Sequence, residues 1–211
     1  MIVSIQNQKG GVGKTTLAIH LAFGLSGKSH VLLVDSDPQG SARDWAASRK
    51  DNLPFDLIAM DRPILHRDLP SLAKEYAYVI IDGPPRVSEI ARSAILASDL
   101  VLIPIQPSPY DLWAAQETVK LVREASLFKE TLKSAFVINR KIVNTVIARD
   151  IVETLKAYEI PVLKNAVAQR IAFAESAASG KTVLEIDAAG PAALEISHLL
   201  QELFDVEENH H

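Results

Sequence analysis

The sequence predicts an α/β fold, a doubly wound, mostly parallel sheet with helices on both faces, on three observations. Short β-rich apolar runs alternate with stretches of helical period, the pattern of repeated βαβ units. A glycine-rich loop stands between the first run and the first helical stretch, and two later runs end in aspartate, as ligand-binding edges of such sheets do. The 211 residues, 48% of them apolar, suffice for one sizeable core without staples.

In chain order, strands are predicted over residues 2–6, 31–34, 55–59, 78–81, 100–105, 135–138 and 161–163. The first helix starts at the glycine-rich loop and spaces Leu17, Leu21 and Leu25 four apart, one apolar stripe to lay on the sheet. Further helices are predicted over 41–49, 69–76, 88–97, 112–126, 148–158 and 191–204. Pro191 suits a first helical turn, where its missing N–H would be unpaired anyway. Right-handed crossovers are expected throughout. With no repeat, low-complexity tract or linker, residues 1–206 read as a single domain and 207–211 as a disordered tail. Its closing Asn209-His210-His211 has the composition of a purification-tag stub.

Composition removes several classes of function. Without cysteine there is no disulfide, thiolate zinc site, iron–sulfur ligation or thiol catalysis, and a reducing cytoplasm fits best. Ile2-Val3-Ser4-Ile5 opens as a strand rather than a signal peptide, and no apolar run approaches the roughly 20 residues a membrane span needs. A formal charge of -4 repels nucleic acid overall, so any such binding needs a local patch. His20, His30, His66 and His198 show no metal-ligand spacing.

The chemistry starts at Lys9-Gly10-Gly11-Val12-Gly13-Lys14-Thr15, followed by Thr16, placed strand-to-helix as a phosphate-binding P-loop requires. Its glycines let backbone N–H groups converge on phosphate oxygens, and the helix N-terminus adds a favourable dipole. Lys14 would reach the β and γ phosphates of ATP, and the Thr15 hydroxyl would ligate Mg²⁺. Gln8 stands where the pattern G-x-x-x-x-G-K-[ST] has its first glycine, and a second lysine, Lys9, stands inside the loop. Val34-Asp35-Ser36-Asp37-Pro38-Gln39 and Ile81-Asp82-Gly83-Pro84-Pro85 bring carboxylates to the same sheet edge.

Lys-Gly-Gly-x-Gly-Lys-Thr resembles the deviant Walker A loop of the ParA/MinD group of P-loop ATPases. Over residues 2–204 the chain is similar to small ParA-type partition ATPases that lack an N-terminal helix-turn-helix domain, and the loop follows the first strand too closely for such a domain to be expected ahead of it. The resemblance implies that Asp37 orients the attacking water, that Asp82 holds Mg²⁺ through its water shell and that Asp35 supports the metal side. Ile103-Pro104-Ile105-Gln106-Pro107-Ser108-Pro109 resembles the family segment lining nucleotide and dimer interface, which implicates Pro107. Phe136-Val137-Ile138-Asn139-Arg140-Lys141 resembles the segment near adenine, which implicates Asn139 and Arg140. ATP is sandwiched between two subunits in the family, with Lys9 crossing to the partner's phosphates.

The stretch 133–181 holds Lys133, Arg140, Lys141, Arg149, Lys156, Lys164, Arg170 and Lys181 against Asp150, Glu153, Glu159 and Glu175. By composition this is as readily a solvated face as a binding patch. The family's sequence-independent DNA binding points to Arg140, Lys141, Arg149, Lys164 and Arg170. The expected protein is thus a cytoplasmic, nucleoid-associated ATPase that forms a homodimer with ATP, binds non-specific DNA and answers to an adaptor or cargo protein. The cargo would be a plasmid, a chromosome or a protein organelle such as a carboxysome. A MinD-like membrane-cycling ATPase would need a basic amphipathic C-terminus, whereas Glu195, Glu202, Asp205, Glu207 and Glu208 make this one acidic. A metabolic ligase on the same scaffold would need an acceptor pocket that the sequence does not reveal. Trp113, at a helix start, stays open between an interface role and ordinary packing, as does Trp45.

Overall fold

Six short strands form one all-parallel sheet: β1 (Ile2–Ile5), β2 (Val31–Asp35), β3 (Asp56–Ala59), β4 (Tyr78–Asp82), β5 (Leu100–Ile105) and β6 (Lys133–Ile138), in the order β3-β2-β4-β1-β5-β6. The computed structural model describes residues 1–86, 88–142 and 147–205. Nine α-helices are found among them: α1 (Lys14–Ser26), α2 (Ser41–Ala47), α3 (Leu65–Leu72), α4 (Glu89–Ala97), α5 (Pro109–Ser126), α6 (Ile147–Leu155), α7 (Ile171–Ala177), α8 (Val183–Ile186) and α9 (Pro191–Leu200). The anticipated tail 207–211 and the side chain of Arg149 lie outside the described residues.

The sheet is doubly wound as its sequence predicts, because alternate residues of each strand supply opposite faces. Val3, Ile5, Leu33, Ile80 and Leu102 point into a core closed by Leu17 and Leu21 of α1 and Ile196 and Leu199 of α9. On the other face Val101, Ile103 and Phe136 meet Ala115, Val119 and Val122 of α5. Leu32, Val34, Val79 and Ile81 continue that face against α3 and α4. The neighbouring strands β1 and β5 send their connections to opposite sides of the sheet, β1 toward β2 and β5 toward β6. This makes the carboxyl edge between them a topological switch point, where a crevice opens.

Several boundaries differ from expectation. Residues 161–163 make no seventh strand, only one bridge between Phe136 and Val162. Pro161 has no N–H for a ladder, and the N–H groups of Lys164 and Asn165 go instead to the Glu202 carboxylate. Helix α5 starts at Pro109, not 112, with proline in its first turn. Helix α3 begins at Leu65, ahead of the expected 69, because Leu65 and Leu69 bury one face together. Helices α7 and α8 were not anticipated; α8 starts at a capping box in which Thr182 and Glu185 satisfy each other's backbone. No helix among the described residues is long and apolar enough to cross a membrane.

Candidate nucleotide site

The glycine-rich loop hangs over the switch point from three side-chain amides. Asn7 accepts the Lys9 N–H at 2.8 Å and donates to the Pro104 carbonyl at 2.7 Å. Gln106 donates to the Gly11 carbonyl at 3.0 Å, and Asn139 donates to the Val12 carbonyl at 2.7 Å. Gln106 and Asn139 thus occupy the carbonyls of Gly11 and Val12, while Asn7 takes up the N–H of Lys9. Gly13 has φ +91°, and a Cβ there would stand 2.4 Å from the Asn139 amide nitrogen, so both backbone and space require glycine. Helix α1 follows with no side-chain cap and no acid in its first turn, an N-terminus open to phosphate. Val12 is fully buried and turns its side chain into the interior.

Lys14, mostly buried, donates to the Lys9 carbonyl at 3.2 Å. Burial holds its ammonium below the ordinary lysine range, opposed by the charges of Asp82 and Asp37. The β2–β4 register sets Asp35 beside Asp82. Asp82 is fully buried, and neither of its carboxylate oxygens has a hydrogen-bond partner. Burial pushes its carboxyl up to about 7, against the nearby Thr15 hydroxyl and Lys14, while Asp35 and Asp37 push the same way as burial.

An orphaned buried carboxylate next to a threonine hydroxyl at a phosphate loop fits a hydrated Mg²⁺ shared with phosphate oxygens. Among the described residues no group of three or more His, Cys, Asp or Glu side chains could hold a metal ion. Asp35 is engaged otherwise: its Oδ2 accepts from Arg43 Nε at 3.2 Å and its Oδ1 from the Asp37 N–H at 3.2 Å. Asp37 is fixed through its carbonyl, which accepts from Gly40 N–H and Arg43, and through Oδ1, which accepts from Gln39 N–H at 3.0 Å.

Two adjoining cavities complete the site. One of about 380 Å³ is lined by Gly10, Gly11, Gly13, Lys14, Thr15, Thr16 and Asp37 together with Trp45, Arg140 and Phe173. The other, about 900 Å³, runs from Gly13 and Thr16 along Asn139 and Arg140 to residues 167–171. The first has the donors for phosphates and the second the room for a nucleoside. Pro107 lines neither; its neighbour Gln106 is the residue that touches the loop. Lys9 also lines neither, since its ammonium pairs with Asp111 at 2.7 Å.

The basic candidates are dispersed. Arg140, at φ +53°, borders both cavities. Lys141 pairs its backbone with residues 167 and 169, and Lys164 sits beside Glu202. Arg170 donates to Glu195 through Nη2 at 2.6 Å, and the same carboxylate accepts the Ala168 N–H. Sequence reasoning missed Asn7, Gln106 and Asp111, which have partners 97, 95 and 102 residues away, and Arg43, whose partners Asp35 and Asp37 are near in sequence.

A parallel sheet carrying a lysine-bearing phosphate loop at its switch point defines a P-loop nucleotide-binding domain. Residues 3–183 match the model of the CobQ/CobB/MinD/ParA nucleotide binding domain, and the chain belongs to that family. It is 30% identical, over 95% of each chain, to the maintenance of carboxysome distribution protein A of Halothiobacillus neapolitanus. It is 32% identical to the chromosome partitioning protein ParA of Myxococcus xanthus, covering 88% of this chain and 81% of that one. Among solved structures, the ATP complex of a Cyanothece McdA variant superposes with a TM-score of 0.83 at 18% identity, covering 97% of this chain and 96% of that one. MinD cell division protein of Aquifex aeolicus superposes with a TM-score of 0.80 at 17% identity, over 97% and 96% of the two chains.

Proposed function

We propose that this chain is a ParA-type positioning ATPase: it binds ATP with Mg²⁺, hydrolyses it, and uses the cycle to distribute a cargo over the nucleoid. The observation that carries the nucleotide chemistry is the buried, unpartnered Asp82 carboxylate facing Lys14 and Thr15 at the open end of α1. Loop N–H groups and Lys14 hold the phosphates, and Thr15 with Asp82 holds the metal. Held by Thr15 and Asp82, Mg²⁺ would supply neutralisation of the phosphate charge. Asp37, fixed by Gln39, Gly40 and Arg43, orients the attacking water. Catalysis then consists of placement and charge neutralisation, which phosphoryl transfer mostly asks for.

Lys9 supports a two-subunit cycle, because a second loop lysine outside its own phosphate cavity is available to another subunit's phosphates. A carboxysome is the cargo favoured here. Besides the Halothiobacillus relative, a protein of the same name from Gloeobacter kilaueensis is 44% identical over 119 residues, 56% of this chain and 55% of that one. For DNA, Lys141, Arg149, Lys164 and Arg170 are the candidates together with Arg140, of which Arg140 also borders the nucleotide cavities and Arg170 also pairs with Glu195.

The deciding experiment is binding of random-sequence duplex DNA with ATP or ADP across a salt series. Binding is expected with ATP, falling with log salt at a slope of roughly -0.9 per phosphate contact. Absence of binding with both nucleotides, in protein that turns over ATP, would remove the positioning cycle and leave a metabolic ATPase.

A further inference from the structure

The Lys9–Asp111 pair is not an ordinary surface contact. Asp111, in the first turn of α5, has a fully buried side chain, while Lys9 is 37% exposed. Only one carboxylate oxygen is used: Oδ2 accepts from Lys9 Nζ at 2.7 Å, and the buried Oδ1 has no partner. If Lys9 departs, Asp111 keeps a charge in the interior with no described side chain to balance it. The pair also bridges the switch point, joining the loop after β1 to the helix after β5.

The surrounding contacts hold the loop while leaving the ammonium free to move. Two turns along the same face of α5, the Thr118 hydroxyl accepts the Gln8 N–H at 3.3 Å, and buried Ala115 packs between. Asn7 and Gln106 fix the loop backbone independently of any lysine ammonium. Lys9 can therefore swing on its four-carbon stem without reshaping the loop.

We propose that Asp111 is a positioning residue that retains Lys9 on its own subunit until a triphosphate on a second copy of this chain offers a stronger counter-charge. The pair sets the nucleotide concentration at which the chain dimerises, and it rejects the diphosphate, whose smaller charge cannot draw the ammonium off Asp111. This inference rests on the reading that Lys9 acts on the partner's phosphates.

The test is sedimentation velocity of the full chain with Mg²⁺ and either a slowly hydrolysed ATP analogue or ADP, for wild type, Asp111→Asn, Lys9→Ala and the double variant. Asp111→Asn should dimerise at roughly tenfold lower analogue concentration, the ratio separating a charge-assisted from a neutral hydrogen bond, and should show dimer with ADP. The double variant should match Lys9→Ala, since Asp111 acts only through Lys9. An Asp111→Asn midpoint equal to or above wild type, or an equal shift in the Lys9→Ala background, overturns the retention role. Lys9→Ala that dimerises and hydrolyses ATP like wild type overturns instead the underlying reading of Lys9. Asp111→Ser, smaller but still polar, reads the same midpoint should the asparagine fail to pack.

Discussion

Replacing Asp82 by asparagine should stabilise the nucleotide-free protein while abolishing its Mg²⁺-dependent hydrolysis. The side chain is fully buried with both oxygens unpartnered, and its carboxyl is raised from 3.8 to about 7, chiefly by burial. A carboxyl raised on folding binds more protons folded than unfolded, so the contribution of Asp82 to stability is greatest at low pH and is lost as pH rises from about 4 through about 7. The penalty integrates to about 2 kcal/mol at pH 5 and about 4 kcal/mol at pH 8. Urea unfolding in chelator at both pH values should therefore show Asp82→Asn gaining about 2 to 3 kcal/mol more at pH 8 than at pH 5. Saturating Mg²⁺ and nucleotide should shrink the advantage, because the wild-type carboxylate then has a counter-ion. A variant less stable than wild type at pH 8, or a difference that does not change with pH, would refute the claim that Asp82 is an unbalanced buried acid.

Three further outcomes are expected. His20 is buried, with its Nδ1 at 2.7 Å from the Thr16 carbonyl and its Nε2 accepting the Val183 N–H, and burial lowers its pKa to about 4. The His20 contribution to apo stability should fall by about 3 kcal/mol as pH drops from 6.5 toward 4, opposite in sign to that of Asp82, and is read as the pH-dependent difference between wild type and His20→Gln in chemical denaturation. Gly13→Ala places a methyl on the Asn139 amide at φ +91°, so ATP affinity by calorimetry should drop at least about tenfold, and strain of about 1–3 kcal/mol should lower the apo melting temperature by roughly 2–10 °C. Asp37→Ala should form dimer with ATP and stay on DNA, with single-turnover hydrolysis slowed by about 100-fold or more; unchanged turnover would remove its role in orienting water.

The strands could be read because each is a short apolar run, and the two acids that end β2 and β4 come level through the Asp35–Asp82 register. Pro161 shows the limit of that reading: its apolar segment looks like a strand until the missing N–H is counted. Helices α7 and α8 are too short to show a period, and tertiary contacts hold them, among them Trp45 Nε1 to the Lys181 carbonyl and Arg49 to Glu185 at 2.6 Å. Thr182-Val183-Leu184-Glu185 nevertheless carried a capping-box signal that could have marked the start of α8. At the site, the loop chemistry was legible because its residues are contiguous. Of the amides that suspend it, only Asn139 was implicated, through the resemblance and not through its partner; Asn7 and Gln106 were not, since an asparagine or glutamine announces its partner only after folding. Lys9 and Asp111 lie 102 residues apart, so no local pattern joins them.

The three amides that suspend the loop stem from the ends of the first, fifth and sixth strands. A growing chain released before β6 would lack Asn139 and could not shape its anion grip, however well the early strands had collapsed. Nucleotide capture should thus report completion of the whole sheet, and any stabilisation by ligand should spread to the far edge at β6, protecting its amides from hydrogen exchange as strongly as those of β1.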